Sequence, residues 1–214
     1  MRIAVFGASG RTGLPVVEQA IERGHEVVAF VRDPDRLPVD DDRLHVVVGD
    51  AYAGENVAEA VAPGGESVDA VVSVLGQGRN TPDDLVSVAG RNVLDAMVAH
   101  GVRRLVVLTG ASVREEGETV TPSDRAMGGL LRLFARDVLA DADAHVADVK
   151  GRDLDWTVVR ASRLVEGDPA SDYREDVDRS LVKALTVASV DRADVATFIL
   201  DCTEDGTYVG GMPK

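Results

Sequence analysis

Residues 1–13 read MRIAVFGASGRTG, and no other stretch restricts the fold so strongly. Ile3, Ala4, Val5 and Phe6 form a short apolar run of the kind that makes a buried parallel strand. Gly7, Gly10 and Gly13 follow at three-residue spacing, and a helix-like stretch over residues 12–23 comes straight after. Gly7 lets the chain turn sharply out of the strand. Gly10 lets backbone approach a pyrophosphate, and Gly13 lets the helix pack close to the strand. The helix start then offers free N–H groups and the positive end of its dipole to phosphate. Strand, glycine turn and helix in this order predict a dinucleotide-binding entry. The plainer alternative is a strand-to-helix turn that uses the same glycines for packing alone.

The rest of the chain repeats the alternation. Val16, Val17, Ala20 and Ile21 form one helical face, and Gly24 stops that helix. Strands are expected at residues 26–31, 44–48, 69–74, 104–108 and 155–160. Helices are expected at residues 55–61 and 83–100, the latter with Thr81 or Asp83 as cap. Residues 123–150 read as one long helix or two end to end. A short strand at residues 186–190 precedes a helix capped by Asp191, and residues 207–209 read as an edge strand. Alternating strands and helices predict a doubly wound, Rossmann-like α/β fold with strand order 3-2-1-4-5-6. With 214 residues and no internal linker, a single domain over residues 1–214 is expected, with residues 161–214 forming the substrate side.

Charge and cysteine content narrow the function classes. The formal net charge is −14, which argues against nucleic acid as a partner. Asp outnumbers Glu by 25 to 12, and only three lysines stand beside 20 arginines, a surface suited to high salt. No apolar run approaches a membrane span, and the first residues run directly into a strand, so neither a membrane partner nor a signal peptide is expected. The lone Cys202 suits a reducing cytoplasm and reads as a buried small apolar residue. In so acidic a chain, Arg32 at the end of strand two is informative. NAD-binding proteins usually place an acid there, whereas an arginine can hold a 2′-phosphate. Arg11 and Arg36 add local positive charge, so NADP(H) is favoured over NAD(H). The alternative pairs Arg32 with Asp33 or Asp35. Asp50, after strand three, either accepts a hydrogen bond from an adenine amino group or caps the next helix. The four histidines lack ligand spacing, so no metal site is expected. His145 reads as part of a solvated helix face, and Asn92 as a residue tying down a neighbouring turn.

GASGRTG, HEVVAFVRDPDRL, VVVGD, GRNVLDAM, LDWTVVRASRL and VDRADVATFIL together resemble, in order, the NmrA-like, NAD(P)H-binding branch of the atypical short-chain dehydrogenase/reductases. More narrowly, the chain is similar to the biliverdin-IXβ reductase/flavin reductase group. The resemblance implies pyrophosphate contacts at Gly7, Ser9, Gly10, Arg11 and Thr12. It implies a 2′-phosphate contact at Arg32 and adenine contacts at Asp50 and Ala51. Backbone near the ribose and nicotinamide falls on Leu75, Gly76, Leu108 and Thr109. The carboxamide falls on residues 161–164, which include Arg163 and Leu164.

The departures from the family matter equally. No tyrosine has a lysine four residues later. The Tyr-x-x-x-Lys pair, in which the lysine lowers the phenol's pKa for proton exchange with a carbonyl, is therefore missing. The flavin reductases' serine and histidine fall on Gly110 and Arg163. Thr109, Ser112 and Arg163 are the remaining candidates for a catalytic role, Arg163 as a stabiliser of an anionic product or as a ligand of cofactor or surface carboxylate. The expected activity is an NADPH-dependent reductase of a small planar acceptor, such as a flavin or quinone. The alternatives are a non-enzymatic NADP(H)-binding redox sensor and an isomerase or epimerase with bound cofactor.

Overall fold

The computed structural model describes residues 1–78, 80–115, 118, 122, 135–161, 163–166 and 189–214. The apolar first run is β1 (Arg2–Phe6), followed by α1 (Gly13–Glu22) and β2 (Glu26–Val31). After β3 (Leu44–Val48) come α2 (Val57–Val61), β4 (Ala70–Ser73) and α3 (Leu85–His100). Then follow β5 (Arg104–Gly110), α4 (Arg136–Lys150) and β6 (Asp155–Ala161). A small pair, β7 (Arg163–Val165) and β8 (Ser189–Asp191), leads into α5 (Arg192–Asp205).

The six main strands are all parallel, in the order β3-β2-β1-β4-β5-β6. The expected Rossmann-like single domain is therefore present. Strand period decides which core each residue enters. Ala4, Phe6, Val28, Val71, Leu105 and Val158 face α2, α3 and α4. Ile3, Val5, Ala29, Val72, Val106 and Val159 face α1 and α5, where Val16, Val17, Ala20, Ile199 and Leu200 meet them. Because β1 is buried on both faces, it reads as a continuous apolar run. Edge strand β3 is covered less, and Val46 and Val48 remain 38% and 47% exposed. Among the described residues, no helix is long and apolar enough to cross a membrane.

Several expectations are corrected. Residues 207–209 form a turn, with Tyr208 at φ 56°, and not a strand. The chain pairs just beyond them: Gly210 donates to Trp156, Gly211 accepts from Val158, and Pro213 accepts from Arg160. The terminal backbone thus covers the outer edge of β6. The helix expected at residues 55–61 starts at Val57, after Asn56 in the left-handed region. α3 starts at Leu85, and its flanking Asp84 makes no side-chain cap bond. Of residues 123–150, α4 accounts for 136–150, and residues 123–134 lie outside the described residues. So do residues 186–188 of the expected short strand, which is seen at Ser189–Asp191.

His145 is the clearest reversal. It is 3% exposed, inside the α3–α4 contact, and neither ring nitrogen has a hydrogen-bond partner among the described residues. Gly90 of α3 makes the room, since a Cβ there would stand 2.2 Å from the ring. Burial pushes the imidazole pKa below its ordinary value, against the opposing pull of Asp141 and Asp148. Asp191 caps α5 as expected, accepting from Ala193 N at 2.7 Å, and Cys202 is fully buried.

Candidate functional site

A parallel sheet brings every strand's C-terminal end to one edge, and the residues singled out above fall along that edge. The topology reverses between the loops after β1 and β4, the place where doubly wound sheets take their ligands. Gly7 takes φ +85°, which an L side chain resists. A Cβ on it would also stand 3.0 Å from the carbonyl oxygen of Val74, so the two loops abut. Val74 N donates to Phe6 O at 3.0 Å and locks them together. Gly10 N donates back to Gly7 O at 2.9 Å, closing the turn. At Gly13 a Cβ would lie 2.0 Å from Gly7 O, so only glycine permits this approach of α1.

The start of α1 is prepared for an anion. Thr12 makes no side-chain cap bond, and the first turn carries no acidic residue. The amides of Arg11, Thr12 and Gly13 have no partner among the described residues. Unsatisfied amides at a helix start carry partial positive charge that phosphate can meet. Ser9 is half-buried beside them, and Arg11 is exposed. The loops thus have the donors and the close backbone approach that a pyrophosphate requires.

At the end of β2, Arg32 is exposed and forms no ion pair among the described residues. Asp33 instead accepts from the backbone of Asp35, capping the short turn Pro34–Arg36. The alternative pairing of Arg32 with Asp33 or Asp35 is therefore not made. At the end of β3, Asp50 accepts from Tyr52 N at 2.8 Å, so it caps its own turn and not α2. Asn92 of α3 donates to the carbonyls of Ala51 and Tyr52 at 2.8 and 3.2 Å, fixing that turn as expected. After β4, Leu75 is half-buried, and Gly76 is exposed, with none of the described residues within 4 Å of a Cβ placed there.

Leu108 and Thr109 are half-buried at the end of β5, and Ser112 lies in the turn beyond. Neither the Thr109 nor the Ser112 hydroxyl has a hydrogen-bond partner among the described residues. Arg163 is exposed on β7, with Leu164 packed inward beside it. Arg163 lies on the small outer pair of strands, one step removed from the main sheet.

Two features at this edge escaped the sequence reading. Arg160, in β6 beside Thr109, is 1% exposed. It donates to Met212 O at 2.8 Å, Val113 O at 3.2 Å and the Glu118 carboxylate at 2.7 Å. Lys214 also pairs with Glu118. Desolvation pushes the guanidinium's pKa down from its usual range, with Glu115 opposing. This group ties the segment after β5 to the terminal backbone. The one local hint was a charged residue within the otherwise apolar strand TVVRA. The other feature is the bond between Gln77 and Asp141, 2.8 Å long, which links the loop after β4 to α4. No local pattern signals a contact across 64 positions.

Comparison with known proteins agrees with this geometry. YwnB of Bacillus subtilis, itself uncharacterized, is 27% identical over 209 residues, covering 94% of this chain and 91% of that protein. A 3-beta-hydroxysteroid dehydrogenase of Mycolicibacterium neoaurum is 35% identical over 135 residues. That match covers 59% of this chain but only 36% of the dehydrogenase. Among solved structures, a short-chain dehydrogenase/reductase of Veillonella parvula in complex with NADP superimposes with a TM-score of 0.78 at 15% identity, covering 99% of this chain and 92% of that one. ChuY, an anaerobillin reductase from Escherichia coli O157:H7, gives 0.76 at 19% identity, covering 100% and 95%. These structures share the fold. A protein-family model described as NAD(P)H-binding matches residues 7–206, nearly the whole of the chain, and the protein belongs to that family.

Proposed function

We propose that the protein is an NADPH-dependent reductase that passes a hydride to a small planar acceptor such as a flavin or quinone. The observation that carries this reading is the uncapped start of α1 beside the open space at Gly76. Gly7, Ser9, Gly10, Arg11, Thr12 and Gly13 would hold the pyrophosphate. Asp50 and Ala51 would meet the adenine. Leu75, Gly76, Leu108, Thr109, Arg163 and Leu164 would border the nicotinamide half. Arg32 has no carboxylate partner among the described residues, and its fork of donors suits a 2′-phosphate, which supports NADP over NAD. A reduced nicotinamide, when bound, supplies the hydride. The chain's part is then to hold donor and acceptor in register and to exclude water.

The crevice edge supports an acceptor that needs little acid catalysis. Among the described residues, the hydroxyls of Thr109 and Ser112 at and just after the end of β5 are small and neutral, and no Tyr-x-x-x-Lys pair exists in the chain. Residues 161–214 would form the acceptor side, with Arg163 available to an anionic product. The reductase class named for ChuY supports the same reading. The net charge of −14 supports a small-molecule partner over nucleic acid, and the lone buried Cys202 supports a cytoplasmic setting. The missing Tyr-x-x-x-Lys pair is equally compatible with a second reading, an NADP(H)-binding redox sensor without turnover. Incubating the purified protein with NADPH and a panel of flavins and quinones, and following the absorbance of reduced nicotinamide, separates the two. Turnover with at least one acceptor is expected. Tight NADPH binding with no turnover on any acceptor would favour the sensor.

A further inference from the structure

Gln77 lies in the loop after β4, one residue past Gly76. Its Nε2 donates to the Asp141 carboxylate at 2.8 Å and to the Asp83 carbonyl at 2.5 Å. Asp141, on α4, is 6% exposed, and its oxygens also accept the amides of Val86 and Ser87, each at 2.8 Å. Those amides belong to the first turn of α3. Asp141 thus supplies, from another helix, the cap that Asp84 does not provide. Helix α3 holds this carboxylate in place whether or not Gln77 is present, which makes it a fixed anchor for the loop.

The other end of the loop is fixed as well. Val74 is bonded to Phe6, and Leu75 N lies 3.3 Å from where a Cβ on Gly7 would be. Thr81 bonds Gly78, but only within its own turn, through contacts of 2.9 and 3.0 Å. Between the Val74 anchor and the Gln77 anchor stand only Leu75 and Gly76, the residues that front the open space.

We infer that Gln77 is a positioning residue, which sets the backbone of Leu75 and Gly76 against the nicotinamide half of the dinucleotide by joining that loop to Asp141. The inference rests on the dinucleotide reading above, and it goes further by separating the two halves of the ligand. The adenine half depends on loops after β1, β2 and β3 that Gln77 does not touch.

The test titrates wild type, Gln77→Met and Gln77→Glu with NADPH and with 2′,5′-ADP, the adenine half alone, alongside thermal melts. Gln77→Met should weaken NADPH binding by roughly tenfold, because the ligand must then order the Leu75–Gly76 backbone that the bond to Asp141 had already fixed. It should leave 2′,5′-ADP binding unchanged and lower the melting temperature by only a few degrees, because the bonds to Asp141 and Asp83 are lost while Asp141 still accepts both α3 amides. Gln77→Glu sets one carboxylate against another and should weaken NADPH further, with recovery as pH falls and the new acid protonates. Equal weakening of both ligands, or unchanged NADPH affinity in Gln77→Met, overturns the inference while leaving the dinucleotide reading intact. Wild type that binds neither ligand overturns that reading and the inference with it.

Discussion

Replacing Gly13 with alanine tests the glycine turn where its geometry is least forgiving. The added Cβ would stand 2.0 Å from Gly7 O, 2.8 Å from Gly7 C and 2.9 Å from Ala8 Cα. All three are backbone atoms, so no rotamer change relieves the contact. Comfortable separation is about 3.5 Å, so α1 must retreat by roughly 1–1.5 Å. That retreat loosens Val16, Val17, Ala20 and Ile21, which the helix buries against the sheet. Overpacking of this kind costs about 1–3 kcal/mol. For a chain of this size it lowers the melting temperature by roughly 2–4 °C per kcal/mol. The retreat also moves the free amides of the α1 start, so NADPH affinity should fall together with stability. Gly76→Ala is the matched control, since its Cβ meets nothing within 4 Å. It should alter folding by no more than about 0.5 kcal/mol. It should nevertheless weaken NADPH binding, because the methyl occupies the space assigned to the ligand. Urea unfolding and NADPH titration of both variants are the assays. Wild-type stability in Gly13→Ala would refute the steric argument, and wild-type NADPH affinity in Gly76→Ala would refute the placement of the ligand.

Other consequences are open to direct measurement. Arg32→Ala should reduce the preference for NADPH over NADH by roughly 10- to 100-fold, the worth of one or two charge-assisted bonds, and an unchanged ratio of the two affinities removes the role given to Arg32. Gly90→Ala should destabilise by about 1–2 kcal/mol in wild type, after allowing for alanine's better helix propensity, yet stabilise by up to about 1 kcal/mol in a His145→Ala background. Additive effects in that double-mutant cycle would mean that the ring does not fill the gap at Gly90. His145 has a folded-state pKa below its ordinary 6.5, so the unfolded chain binds the extra proton first. Its stabilising contribution is then complete above about pH 6.5 and declines as pH falls from there toward the folded-state value, by at most about 1.4 kcal/mol per pH unit. Denaturation of His145→Ala across this range should lack that component of the slope. With a net charge of −14, moderate salt should raise the melting temperature by screening self-repulsion, and full stability without added salt would count against adaptation to high salt.

What could be read beforehand depended on whether its cause was local. β1, the glycine turn and α1 are specified within about two dozen consecutive residues, and the alternation of elements then orders the sheet. The capping of α5 by Asp191 was legible for the same reason. His145 was misread because a helical period treats a histidine as polar. The glycine that makes room for it is Gly90, on another helix, and only the fold brings the two together. The α3 cap misled in a similar way, since Thr81 and Asp83 stand at the expected place while Asp141 accepts the helix amides from 55 positions away. The terminal backbone was expected to pair too early, because residues 207–209 have the side chains of a strand but Tyr208 turns the chain first. At the site, the phosphate-facing half announced itself through glycines and an arginine. The residues proposed for the acceptor side did not, because small neutral residues such as Thr109 and Ser112 carry little information without their surroundings.

The central place of β1 also governs how the chain is made. Ile3–Phe6 is synthesised before either of its partners, and one of them, Ala70–Ser73, is almost 70 residues behind it. At roughly 5–20 residues per second, this strand waits several seconds to more than ten before its second edge can be covered. Parallel pairing across such a separation is slow even after both strands exist. During that interval a strand that the finished fold buries on both faces is unprotected. The acidic surface of the emerging helices would then help to keep neighbouring nascent chains apart. Translation speed over the stretch from β1 to β4 therefore becomes a variable for soluble yield.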